Sequence, residues 1–195
     1  MPRVSREQTD QNRLAIEDAS ARLFREQGLK VSVADLMAAA GLTHGGFYGH
    51  FASKDALAAI ACERAFEQSA ERWKKRVAGK DDAAALTALV DAYLSPQSRN
   101  ALGSGCPTAA LAGDVAREPA DKPIHEAYLA GVKNQIAVLT SLRDSGDAAA
   151  DHNEALVQLS MMVGALVLAR ATRGDDISAE FLGAARERLV PASQP

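Results

Sequence analysis

Apolar positions recur at helical spacing along almost the whole chain, and no stretch alternates in the manner of a strand. Ile16, Ala19, Ser20, Leu23 and Phe24 fall on one face of a first helix. Ser5 with Gln8 has capping-box spacing, Thr9 is a second candidate start, and Gly28 after Arg25 and Gln27 is a stop. Ser32 opens a short second helix with Val33, Leu36, Met37 and Ala40 as its stripe and Gly41 as its end. Thr43 caps a third over 44–50. Ser53 caps a long fourth through Leu57, Ile60, Ala61, Ala65 and Trp73 to about Val77, with Asp55 suiting the dipole of its first turn. Further helices are expected over 82–94, 107–116, 122–143, 153–172 and 178–189. Pro96, Gly103, Gly105, Pro119, Gly146 and Gly174 punctuate them. The pattern predicts an all-α protein of about nine helices, with a three-helix head at 1–54 and a larger helical domain at 55–195.

Two short helices joined by Gly41-Leu42 have the form of a helix-turn-helix, although spacing alone leaves a plain helical hairpin open. Helix N-termini carry free N–H groups and partial positive charge, so the starts at Ser32 and Thr43 suit phosphate, and the start of the second helix suits base edges. The residues of the segment narrow the choice. From Gly28 to Leu57, and above all in Gly46-Phe-Tyr-Gly-His-Phe-Ala-Ser-Lys-Asp-Ala-Leu57, the chain resembles the DNA-binding domain of the TetR/AcrR family of repressors.

The resemblance implies a role for each matching position. Ser32 and Thr43 would cap their helices, with Thr43 touching phosphate. His44, Gly45 and Gly46 would face the bases. Tyr48, His50 and Lys54 would contact the DNA backbone, while Phe47 and Phe51 pack inside. Two positions depart from the family: 44 is often basic and is histidine here, and 49 is often large and polar and is glycine here. Three glycines in one short helix leave few side chains for base edges, at a cost of about 1 kcal/mol each against alanine.

The resemblance also implies that the C-terminal half binds a small lipophilic effector and dimerises through the last two helices, and that the dimer holds an inverted-repeat operator. Leu156 to Ala171 is apolar nearly all round, so both of its sides need cover, from the core or from a second subunit. Trp73, Tyr93, Cys106 and Tyr128 are candidates to line the effector pocket. Cys106 opens an expected helix, a position that favours thiolate. The run from Gly105 to Asp114 resembles a segment in a subgroup of the family, some of whose members sense electrophiles or oxidants. A small buried packing residue is the plainer reading of Cys106.

Composition sharpens this picture. The net charge of −3 hides an asymmetry: 13 Lys+Arg against 10 Asp+Glu over 1–80, then 9 against 15 over 81–195. An anionic partner therefore fits the N-terminal half. Aromatics make up only 5% of the 195 residues, which suits packed helices. At this length burial removes roughly 70% of the unfolded chain's surface, enough for a core without staples. The two cysteines lack a spaced Cys/His partner set, so no metal, disulfide or cofactor is expected. No signal-like N-terminus is seen. The longest apolar run, 161–169, is far short of the roughly 20 residues of a membrane span, so a cytoplasmic protein is expected. No nucleotide-binding or hydrolase motif points to an enzyme. The expected function is that of a DNA-binding regulator, a repressor released by a small-molecule inducer, electrophilic in one reading; activation or dual regulation, or an all-α enzyme, are the alternatives.

Overall fold

In the first third of the chain, side-chain oxygens start the helices and glycines stop them. The computed structural model of the chain describes residues 6–190; the expected Ser5 cap lies outside them. Helix α1 (Arg6–Gln27) ends at Gly28, whose φ of +79° suits glycine, and whose N–H returns to the Phe24 carbonyl at 2.9 Å. Helix α2 (Val33–Ala39) starts where Ser32 Oγ accepts the Asp35 N–H at 3.1 Å. The next segment, η1 (His44–Gly49), winds as a 3₁₀ helix. Thr43, expected to cap it, has extended backbone but makes no side-chain capping bond. Helix α3 (Lys54–Val77) is capped by Ser53 Oγ, which accepts from Ala56 N at 3.0 Å, and ends on Lys74, Lys75 and Arg76, the charge its dipole favours.

The remainder is helix α4 (Asp82–Tyr93), α5 (Pro96–Asn100), α6 (Pro107–Val115), α7 (Ile124–Ser141), α8 (Ala148–Ala171) and α9 (Ile177–Leu189); no strand occurs among the described residues. Ten helical segments are described, where about nine were expected. Pro96, read as punctuation, instead occupies the first turn of α5, where a missing N–H costs nothing, and Ser95 Oγ accepts from Ser98 N at 3.1 Å. Helix α8 starts at Ala148 rather than at 153. Asp147 accepts the N–H groups of Ala149 and Ala150 at 2.9 and 3.1 Å, a cap stronger than the polar run after it suggested.

Two clusters of buried side chains form the core. The first joins Ile16, Phe24, Leu36, Met37, Phe47 and Leu57 to Leu111, Val115 and Ile124 of the later helices. The second centres on Trp73, Leu89, Leu139, Met162, Leu166 and Leu182. Helix α3 belongs to both: Leu57 to Phe66 lie in the first and Trp73 in the second. Helix α7 runs beside it, so close that a Cβ on Gly131 would collide with the Phe66 ring. Helix α8 is long and apolar enough to cross a membrane by length and composition alone, although its uninterrupted apolar run is shorter. Here Ala155, Leu159, Met162 and Leu166 face the second core, against α7 and α9.

Candidate nucleic-acid interface and effector cavity

One exposed surface gathers most of the expected DNA-contact residues. Ser32, Thr43, His44, Gly45, Gly46 and Tyr48 are exposed, and His50 and Lys54 are half-buried. Phe47 beneath them is fully buried and anchors η1 to α2. Tyr48 is 74% exposed and meets Phe47 edge-on at 5.2 Å between centroids. Arg13 of α1 donates to the His50 carbonyl and stacks over Phe51 at 4.6 Å, fixing the end of η1. Lys54 opens α3 and forms no ion pair among the described residues. A Cβ on Gly45 or Gly49 would meet nothing within 4 Å, and one on Gly46 only the tip of Met37 at 3.6 Å. Packing does not require these glycines; they leave the backbone open to a surface brought from outside.

In the C-terminal half a cavity of about 580 Å³ opens between α3, α4, α5 and the start of α6. Trp73, Tyr93 and Cys106 line it together. Trp73 and Tyr93 meet edge-on at 6.4 Å, and burial raises the Tyr93 phenol well above its ordinary pKa. Tyr128 is not brought to the wall. Its ring packs on Phe66 at 5.7 Å and its hydroxyl donates to the Thr108 carbonyl at 3.0 Å. Gln135 donates to the Cys106 sulfur at 3.9 Å and accepts from Thr108 Oγ1 at 2.5 Å. Both cysteines are free and buried; burial pushes the Cys62 thiol up to about 12. No group of three or more potential metal ligands occurs among the described residues.

Sequence reasoning missed the arginines beside this cavity. Arg72 lines it, Arg170 lies against Gly105, and Arg25 lines the adjoining crevice. They come from α3, α8 and α1, so no motif joins them. A weak signal existed in Arg25, a charge on the otherwise buried face of the first helix. Also missed were two ties between the halves. Asp114 of α6 accepts the Leu29 N–H at 3.3 Å, and Lys122 before α7 pairs with Asp55 at the start of α3.

Comparison with known proteins agrees with this geometry. Residues 16–60 match the family described as bacterial regulatory proteins, tetR family. No curated protein matches the sequence. Among solved structures, a TetR transcriptional regulator from Chloroflexus aurantiacus is 28% identical over 94% of each chain, with a TM-score of 0.77. The reduced form of NemR from E. coli is 22% identical, covering 93% of this chain and 99% of that one, with a TM-score of 0.77. A TetR-family regulator from Agrobacterium tumefaciens is 18% identical, covering 96% and 100%, with a TM-score of 0.78. The last two speak for the fold alone.

Proposed function

Given that the chain belongs to the TetR/AcrR family of transcriptional regulators, DNA-binding proteins rather than enzymes, we infer that it is a dimeric cytoplasmic repressor, freed from an inverted-repeat operator when a small molecule fills the Trp73–Tyr93–Cys106 cavity. Residues 1–54 form the reading head and 55–195 the effector-binding and dimerisation domain. The carrying observation is the exposed surface of η1 and its flanks. Thr43, Tyr48, His50 and Lys54 supply backbone contacts there, Ser32 caps the supporting helix, and His44, Gly45 and Gly46 meet base edges.

Dimerisation is supported by the outer side of α8. Leu156, Val157, Val167 and Leu168 are exposed, and Gly164 between them leaves open space. Four large apolar side chains on one helix face mark an interaction surface. With Phe181 and Gly183 of α9 beside it, a second copy would complete a four-helix interface.

A second reading concerns the trigger. Cys106 lies in the cavity wall, where Arg72 is also a lining residue and Arg170 stands against the neighbouring Gly105. Addition of its sulfur to an electrophile such as a quinone would then act as the inducing event. Sedimentation and mobility-shift titration on the DNA upstream of the coding region test the main reading: a dimer that binds is expected. A stable monomer that does not bind contradicts it. Loss of binding on quinone treatment in wild type but not in Cys106→Ser selects the covalent trigger.

A further inference from the structure

Arg72 and Arg76 line the cavity, Arg170 stands against Gly105 in its wall and Arg25 lines the adjoining crevice, and none of the four has an acidic partner at ion-pair distance among the described residues. Neutral groups satisfy them only in part. Arg72 reaches the Gly105 carbonyl at 3.5 Å. Arg170 donates to the carbonyls of Ser98 and Arg99 at 3.1 and 3.3 Å. Arg25 is 6% exposed and gives one nitrogen to Gln68 at 2.9 Å, while its Nε and Nη1 are buried without a partner. Burial, with Arg72 close by, lowers the Arg25 pKa to about 10.

The nearby acids are occupied. Asp91, the carboxylate among the lining residues, is held by Arg186 at 2.7 Å. Asp18 serves Arg64 and Gln68, and Glu26 serves Arg22. A guanidinium taken out of water with no counter-charge is unfavourable, and its fork matches a carboxylate in two parallel bonds. On the other side, Trp73, Leu89 and Tyr93 offer apolar surface to the same cavity.

We propose that the effector is an amphipathic organic acid, its carboxylate held by Arg72 with Arg25 and its hydrocarbon part laid against Trp73, Leu89 and Tyr93. This deepens, and rests on, the reading of the cavity as the effector site. Arg76, exposed at the mouth, draws the anion in, and Arg170 keeps the Gly105–Cys106 wall positive.

Trp73 is the chain's single tryptophan, so its fluorescence reports occupancy of the cavity. The full-length protein is titrated with octanoate and with its neutral match, octanamide, at pH 7. The acid should bind roughly tenfold or more tighter than the amide. Arg72→Gln and Arg25→Gln should each reduce the acid to the level of the amide. Arg25→Gln removes an uncompensated buried cation and Arg72→Gln a half-buried one, so neither should melt lower than wild type. If either melts lower, Arg72→Lys, which keeps the charge, must retain a preference for the acid. Equal binding of acid and amide, binding of neither, or acid binding unchanged in both glutamine variants overturns the proposal. Repeating the titration with DNA selected from a random pool separates the two readings. Acid binding without DNA release leaves the anion site standing and removes its effector role.

Discussion

The carboxylate of Asp114 accepts the main-chain N–H of Leu29 at 3.3 Å, across 85 positions of sequence. It thereby fastens the end of α6 to the turn that leads from α1 into the reading head. Gly28 makes room for it: a Cβ there would stand 2.5 Å from Asp114 Oδ2. The other end of α6 begins at Cys106, in the cavity wall. One short helix therefore touches both the cavity and the turn after α1, so a ligand that moved its start would act on the strap at its end.

Asp114→Ala should leave the Leu29 N–H without its acceptor, costing about 1–3 kcal/mol in urea denaturation. It should also shrink the change in DNA affinity that the effector produces. Asp114→Asn keeps an acceptor oxygen and should retain most of both. An alanine variant with wild-type stability and full response would remove the strap from the account.

Lys54→Ala should weaken binding to every DNA sequence and reduce the slope of log affinity against log salt by about one unit. Tyr48→Phe should weaken all sequences with little change of slope. His44→Ala should instead alter preference among operator variants. Titrations at several salt concentrations distinguish these outcomes; an unchanged slope would place Lys54 away from phosphate.

Much of this architecture is legible in the sequence, because its signals are local. Ser32, Ser53, Gly28 and Gly41 mark helix ends within a few residues, and Leu57, Ala61, Ala65 and Trp73 declare a buried face by their spacing. Trp73, Tyr93 and Cys106 do meet at one cavity. Helix α5 was hidden because proline both ends and begins helices, and only the Ser95 cap decides which. Tyr128 was misplaced because an aromatic near a helix start does not announce which of two neighbouring cores it joins. The arginines beside Cys106 were invisible for a different reason: α1, α3 and α8 meet there only through tertiary packing.

Gly164→Trp should convert the dimer to a monomer, because a side chain there meets open space in the single chain but blocks approach of a second α8. The monomer should keep its helical circular dichroism and lose about a hundredfold or more in DNA affinity, since the two half-sites no longer bind as one. Sedimentation checks this, and a variant that stays dimeric would move the interface elsewhere.

Asp151 is buried near the start of α8, where hydrogen bonds from Ser145, with Arg143 beside it, lower its pKa. A folded-state pKa below the unfolded value of about 3.9 stabilises the fold above that pH, and the benefit is lost as pH falls through the folded value. Asp151→Asn should therefore be less stable than wild type at pH 7 by urea denaturation, and the gap should close on acidification towards pH 3. A gap that does not change with pH would show that Asp151 acts by shape rather than by charge.

Selection of the purified protein against a pool of random duplex DNA, with the stoichiometry of the winning complex measured, tests the central claim most directly. The account predicts an inverted repeat, its half-sites about one helical turn apart or slightly more, occupied by a dimer and lost when His44, Tyr48 and Lys54 are replaced together. A pool that acquires no sequence, or binding that survives the triple replacement, would contradict it.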